Sequence, residues 1–218
     1  MNIILMGPPG VGKGTQSRRL ARLLNVPIVA SGDMFRAMRE EDTPLAREVR
    51  QYMDQGDYVP DDLTIELVLK RLTEPDAQSG FILDGFPRTV PQAQALDAAL
   101  EKEGQRIDNV ILLEAPTDIV TRRLSGRWIC SNCGHVFNQN SRPPQVAGIC
   151  DDCGAELVQR TDENPDVQSH RLTVFERQTE PVISYYRDSN RLQTINAEQS
   201  VDTIQNQLRD IINSPASI

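Results

Sequence analysis

One short segment near the start of the chain combines residue types that can hold a phosphate group. Residues 7–15 read Gly-Pro-Pro-Gly-Val-Gly-Lys-Gly-Thr, between an apolar run and a segment with helical periodicity. Gly10 and Gly12 permit backbone angles and close approaches that a Cβ would prevent, so successive N–H groups can turn toward phosphate oxygens at the positive end of a helix. Lys13 adds a full positive charge. The segment predicts a phosphate-binding loop (P-loop) whose nucleotide-binding residues are Gly10, Gly12, Lys13, Gly14 and Thr15.

Arginines suited to bind a phosphoryl group are spread over several segments. A guanidinium donates two parallel hydrogen bonds to such a group, which an ammonium cannot reproduce. Arg88 follows an apolar run that ends near Asp84, so both side chains should reach the carboxyl edge of a parallel sheet, where ligands bind. Arg123 and Arg127 are four residues apart around the end of a predicted helix, which predicts that they share one face. The candidate arginines are Arg36, Arg88, Arg123, Arg127, Arg160 and Arg171.

Four cysteines form two pairs whose spacing is typical of a metal site. Cys130 and Cys133 are separated by two residues, as are Cys150 and Cys153, and 16 residues lie between the pairs. Four thiolates leave no open coordination position, so a bound zinc ion would be structural. Iron on the same thiolates and paired disulfides remain alternatives at this point. The neighbouring His135 is expected at the surface rather than as a ligand.

The elements that must position these residues alternate between strand and helix. Apolar runs at 3–6, 27–30, 81–83, 110–113 and 192–195 are separated by segments long enough for crossover helices. This pattern predicts an α/β fold with a doubly wound, five-stranded parallel sheet. The first helix should span 12–24 and bury Leu20, Leu23 and Leu24. Further helices are expected at 31–41, with Ser31 as its N-cap, at 44–56, closed by Gly56, at 165–188 and at 201–213.

Two segments have no strand of the main sheet and are predicted to be inserts. Residues 31–59 carry two helices, and residues 126–163 carry the cysteines with few periodic apolar positions. The core then comprises 1–30, 60–125 and 164–218. The formal net charge of −8 disfavours a nucleic-acid partner, and no apolar run approaches 18 residues. Without a secretory signal at the N-terminus, we expect a cytoplasmic protein with no membrane association, and a monomer, because the fold needs no partner to complete its site.

Four blocks in order make the chain similar to a known family. The loop at 7–16, the block Ser31 to Arg36, and Asp84-Gly85-Phe86-Pro87-Arg88 with Gln92 resemble the adenylate kinases, nucleoside monophosphate kinases with a P-loop NTPase-type fold. The segment at Arg127, the cysteines, Arg160 and Arg171 resemble the long, zinc-binding lid of that family and the helix after it. The resemblance covers essentially the whole chain.

This resemblance implies reversible phosphoryl transfer between MgATP and AMP to give two ADP. It implies that Asp84 organises the water shell of Mg²⁺, that the cysteines hold structural Zn²⁺, and that residues 31–59 bind the monophosphate. No general base is expected, since the acceptor phosphate is already ionised. The implied catalytic residues are Lys13, Arg88, Arg127, Arg160 and Arg171. The implied ATP ligands are the loop residues with Arg123 and Arg127. The implied AMP ligands are Ser31, Arg36, Val59, Gly85, Arg88, Gln92, Arg160 and Arg171.

Two other functions compete with this one. A P-loop switch or nucleic-acid-associated ATPase could use the cysteine segment as a reader, although the acidic charge and the displacement of the loop hydroxyl to Thr15 disfavour it. Alternatively, the same enzyme class could accept UMP, CMP or GMP, against which Gln92 and the long lid weigh. Differences from the family at Trp128, Ser141 and Gln145 bear on donor affinity and donor base selectivity.

Overall fold

The computed structural model describes residues 1–139, 142–159 and 165–214. Arg160 and Ser141, singled out above, lie outside the described residues. The described elements follow one another along the chain as β1 (Asn2–Met6), α1 (Lys13–Leu24), β2 (Ile28–Ala30), α2 (Ser31–Arg39), α3 (Pro44–Gln55), α4 (Asp61–Leu72), a 3-10 turn (Pro75–Ala77), β3 (Phe81–Asp84), α5 (Val90–Lys102), β4 (Asn109–Glu114), α6 (Thr117–Ser125), β5 (Arg127–Cys130), β6 (Val136–Asn138), β7 (Leu157–Val158), α7 (Pro165–Asp188), β8 (Leu192–Asn196) and α8 (Val201–Asn213).

The five apolar runs form one parallel sheet, as predicted. Its strand order is β2-β3-β1-β4-β8, and every neighbouring pair is parallel. Alternate residues of the strands face opposite sides, so Ile4 and Leu83 pack in one apolar cluster and Ile3 and Ile82 in another. Helices α4, α5 and α7 cover the first side, and α1, α6 and α8 cover the second. The prediction of a doubly wound α/β fold is therefore confirmed.

Helix ends were predicted less well than strands. Ser31 is the first residue of α2 rather than its N-cap, because Ala30 occupies the capping position and the Ser31 hydroxyl donates to the Gly85 carbonyl at 2.7 Å. Gly56 does close α3 in the left-handed region, at φ 81°. The burial predicted for Leu23 is wrong, since 47% of this residue is exposed. Its position on α1 lies outside the stripe that packs against the sheet.

Cys130 lies in a small separate sheet, and the other three cysteines lie in the segments that connect its strands. We call residues 126–139 and 142–159 the cysteine region. Here β5 pairs antiparallel with β6 on one side and β7 on the other. Arg127 begins β5, whereas Arg123 lies in the last turn of α6, so the argument from helical spacing was wrong. No helix within the described residues has the length and apolar character to cross a membrane.

Candidate active site

The phosphate-binding loop joins the end of β1 to the start of α1. Gly10 has a φ of 85° and Gly12 a φ of 115°, both in a region that side chains with a Cβ rarely adopt. Gly10 is also pressed against α6, since a Cβ there would lie 2.5 Å from Leu124 Cγ. The backbone therefore turns inward beneath the N-terminus of α1, where free N–H groups and the helix dipole attract anions.

The Lys13 side chain is held over this loop by backbone carbonyl groups at the start of the loop. Its Nζ donates to the carbonyl oxygens of Gly7 at 2.6 Å and Pro8 at 3.0 Å. Burial lowers the pKa of Lys13 to about 8, an effect opposed by Asp84 and reinforced by the positive charges of nearby arginines. A site that disfavours its own lysine charge in this way is electrostatically prepared for a polyanion.

Asp84 ends β3 beside the loop, at the carboxyl edge of the sheet. Burial raises the pKa of this carboxyl, while Lys13 and Arg88 counteract the rise. Ser17 of α1 donates to Asp84 Oδ2 at 3.4 Å, and a Cβ on Gly14 would lie 3.6 Å from the same oxygen. The carboxylate thus faces the junction of loop and helix, as the sequence predicted from its position after an apolar strand.

A cleft of about 970 Å³ opens above the loop. Nearly every element at the carboxyl edge of the sheet contributes to its walls, together with β6 of the cysteine region. Five of the six predicted arginines line it, and Arg160 lies outside the described residues. The arginines along the cleft are Arg18, Arg36, Arg88, Arg122, Arg123, Arg127, Arg142 and Arg171.

A second, smaller pocket of about 40 Å³ adjoins the cleft between α2, α3, α5 and α7. Of the residues predicted to bind the monophosphate, Gly85 lines only the larger cleft, and Arg160 again lies outside the described residues. The others in the small pocket are Ser31, Arg36, Val59, Arg88, Gln92 and Arg171. Three of these, Arg36, Arg88 and Arg171, line both spaces, so their guanidinium groups stand at the junction.

Arg88 is oriented by contacts along its whole length. Its Nε donates to the Gly85 carbonyl at 2.7 Å, and its guanidinium lies 4.7 Å from the centre of the Tyr58 ring. Its backbone N–H donates to Gln92 Oε1 at 2.8 Å. Such contacts reduce the entropy that a long side chain would lose on binding a ligand. The Gly85 carbonyl is therefore engaged by Arg88 and Ser31 in this conformation.

Three residues that support the small pocket were not singled out from the sequence. Asp61 accepts from Gln92 Nε2 at 2.7 Å, Tyr58 stacks under Arg88, and Thr179 of α7 donates to the Arg88 carbonyl at 3.1 Å. The hydroxyls of Tyr58 and Thr179 lie 2.9 Å apart. Only the position of Tyr58 beside Val59 offered a sequence signal. Asp61 and Thr179 lie far from Arg88 and Gln92 in sequence, so nothing local marked them.

Arg123 links the loop to the cysteine region. Its Nη1 donates to the Val11 carbonyl at 3.1 Å, and Asn138 of β6 donates to the Arg123 carbonyl at 2.8 Å. Burial lowers the pKa of Arg123, Arg122 lowers it further, and Glu198 opposes this. Arg127 lines the same cleft from β5. Arg123 and Arg127, both predicted to bind ATP, therefore line the same cleft, although they do not share a helix face.

The four cysteines come together as the spacing predicted. Their Sγ atoms all lie within 4.8 Å of one another, with 3.4 Å between Cys130 and Cys153 and 3.6 Å between Cys133 and Cys150. Ligands about 2.3 Å from a tetrahedral zinc would lie about 3.8 Å apart, so the set fits such an ion. None of the four forms a disulfide.

The two cysteine pairs are built alike. Gly134 N–H donates to the Cys130 carbonyl at 3.0 Å and Gly154 N–H to the Cys150 carbonyl at 2.9 Å, both glycines having positive φ. His135 Nδ1 contacts the Asp152 carboxylate, so it links the pairs and does not belong to the metal-ligand cluster. The described part of this region can therefore hold a metal ion with its four thiolates.

Comparison with known proteins agrees with this geometry. The adenylate kinase family model matches residues 5–191. The adenylate kinase of Streptomyces coelicolor is 47% identical over 205 residues, which cover 94% of each chain. Those of Bacillus subtilis and Geobacillus sp. (strain WCH70) are each 44% identical over 212 residues, covering 97% of this chain and 98% of theirs. The chain therefore belongs to the adenylate kinase family of phosphotransferases.

Proposed function

We propose that the chain catalyses the reversible transfer of a phosphoryl group from MgATP to AMP, giving two ADP, in adenine nucleotide homeostasis and AMP salvage. The observation that carries this proposal is the junction of the two spaces. Arg36, Arg88 and Arg171 border both the cleft above the phosphate loop and the smaller pocket beside it. A group passed from a donor in one space to an acceptor in the other would remain among guanidinium groups throughout.

The donor is assigned to the cleft. The loop amides and Lys13 would hold the β- and γ-phosphates, with Gly14 and Thr15 at the start of α1. Arg123 and Arg127 line the cleft on its far side and would contact the donor's base and phosphates. Arg160 completes this set by resemblance alone. The concentration of positive charge around a buried lysine supports the assignment.

The acceptor is assigned to the smaller pocket. Arg36 and Arg88 would bind the AMP phosphate, while Ser31, Val59, Gly85 and Gln92 would surround its base and sugar. Gln92 has one amide hydrogen on Asp61 and its oxygen on the Arg88 N–H, so its orientation is set. A second amide hydrogen remains as a donor for a base edge. This fixed amide supports Gln92 as the residue that selects adenine.

Transfer itself needs positioning and charge stabilisation. An oxygen of the AMP phosphate attacks the γ-phosphorus in line, the bond to the β-phosphate oxygen breaks, and ADP leaves. Lys13, Arg88, Arg127, Arg160 and Arg171 would stabilise the charge on the migrating group. We propose that the segments 31–59 and 126–163 close over their nucleotides and exclude water, which would otherwise attack ATP.

Two metals complete the proposal. Mg²⁺ would enter with ATP, and Asp84, directed at the loop, would order its water shell. The thiolates of the cysteine region would hold Zn²⁺, which stabilises a segment too small to fold by apolar burial. We also propose the core boundaries 1–30, 60–125 and 164–218, a cytoplasmic location and a monomeric state; the monomer is supported by the described walls of both spaces, which come from a single chain.

The direct test measures ADP formation from MgATP with AMP, UMP, CMP or GMP, beside an Arg88→Ala variant. We expect ADP with AMP and a fall of about 10²-fold or more in kcat for the variant. Hydrolysis of ATP without AMP should be far slower than transfer. Turnover at a similar rate with water, or a preference for another monophosphate, would refute the assignment of the smaller pocket to AMP.

A further inference from the structure

Helix α1 contacts the cysteine region through Arg18. Arg18 Nη1 donates to the Gly134 carbonyl, and a Cβ on Gly134 would lie 2.8 Å from Arg18 Nη2. Gly134 directly follows Cys133, in the turn that the first cysteine pair closes. A helix of the core thus binds the backbone of the turn that holds the first pair of predicted metal ligands.

The contact is extended by charge. Arg22 lies one turn after Arg18 on α1, so the two side chains share a face. Arg22 and Arg142 both act electrostatically on the Asp152 carboxylate, which His135 also contacts. Asp152 lies between Cys150 and Cys153, in the second cysteine pair. Arg18 and Arg22 of α1 therefore face acceptor groups in the turns of both cysteine pairs, namely the Gly134 carbonyl and the Asp152 carboxylate.

This contact is close to the reacting end of α1. Lys13 begins the helix, and Arg18 is five residues later, about 7.5 Å along the helix axis at 1.5 Å per residue. Arg18 also lines the cleft. Docking at Arg18 would hold β5 and β6, and with them Arg127, above the phosphate loop.

We propose that Arg18, supported by Arg22, is a positioning residue that docks the cysteine region onto α1 when the donor nucleotide is bound. This inference rests on the proposed function. Arg18 would act through the Gly134 carbonyl, whose direction is set by the turn that the first cysteine pair closes. Donor affinity and zinc affinity are then coupled, and thermodynamic linkage requires each ligand to favour binding of the other.

Steady-state kinetics test the docking. We expect Arg18→Gln to raise the KM for MgATP about tenfold, the scale of one charge-assisted hydrogen bond, with the KM for AMP unchanged. The fall in kcat should be smaller than the rise in KM, because saturating MgATP favours the docked position of Arg127. Arg18→Lys, which keeps the positive charge and most of the side-chain length, should recover most of the loss. Arg19→Gln is the matched control, because Arg19 pairs with Asp202 of α8. Equal KM values for MgATP in Arg18→Gln and Arg19→Gln would overturn the proposal.

Metal retention gives a second readout that does not depend on turnover. Zinc transfer from the loaded protein to a chromophoric chelator is timed with and without saturating MgATP. Because docking must open before the first cysteine pair can release its metal, MgATP should slow transfer about tenfold in the wild type and less than twofold in Arg18→Gln. Equal protection in both proteins would also overturn the docking. A wild type that binds zinc but forms no ADP would instead refute the proposed function.

Discussion

The phosphate loop and the cysteine region reach their geometry by different routes. The loop emerges from a five-stranded sheet with large apolar clusters on both sides. The core of the cysteine region is built on Cys130, Phe137, Cys150 and Leu157, so half of its buried members are predicted metal ligands. The loop is therefore held by the global fold, whereas the cysteine region depends on local coordination chemistry. A substitution in the loop should therefore lower activity without unfolding the protein. A substitution of a cysteine should remove local folding and activity together.

The largest expected effect is on the loop side. Lys13→Met should lower kcat about 10³-fold, because the charge that stabilises the migrating group is lost. Stability should be equal or higher, since burial disfavours the charged lysine. Turnover is measured beside thermal unfolding. A variant that lost activity only because it unfolded would break the comparison.

The second-largest expected effect comes from removal of a cysteine. Cys130→Ser should lose the metal and lower kcat/KM for MgATP about 10²-fold, as misplaced cleft residues can do. Hydrogen exchange should rise in residues 126–159 and stay unchanged in β1 and β4, which would show local unfolding. The emission of Trp128, the one tryptophan of the chain, should shift with metal loss. Ser131→Ala, in the same turn, should keep the metal and serve as the control.

A smaller effect concerns pH. Donor binding needs the ammonium form of Lys13, whose pKa lies at about 8 rather than 10.5. Above pH 8, kcat/KM for MgATP should therefore fall, by about tenfold at pH 9, while kcat falls less because bound phosphates favour the charge. Burial of the charged Lys13 lowers the free energy of unfolding by its full amount below pH 8. This cost to stability decreases between pH 8 and 10.5 and is absent above that range. A flat kcat/KM profile from pH 7 to 9 would contradict this.

The smallest effect sharpens the comparison within the cysteine region. His135 contacts Asp152 at a partly exposed position and stacks on Phe137 at 4.7 Å between ring centres. His135→Gln should speed zinc loss about threefold, the scale of one hydrogen bond at a partly exposed position. The global unfolding midpoint should not move. A loss of zinc as complete as in Cys130→Ser would show that the histidine does more than link the two pairs.

Sequence patterns predicted those features that local chemistry specifies. The loop at Gly10 to Lys13, the five buried strands and the cysteine pairs each follow from residue type and spacing within a few positions. The failures share a cause. Ser31 was expected to cap α2, but its hydroxyl found the Gly85 carbonyl 54 residues away. The spacing of Arg123 and Arg127 predicts one shared helix face, whereas α6 ends at Ser125 and Arg127 begins β5.

What the sequence determined by itself was the set of groups that can bind phosphate and metal, because turns, caps and ligand spacings act over a few residues. Only the tertiary structure decided which of these groups meet. Tyr58 and Thr179 approach Arg88 from distant segments, and Arg18 reaches Gly134 across 116 residues. Such contacts depend on how the helices pack around the sheet, and packing follows from the sum of buried surfaces rather than from any local pattern.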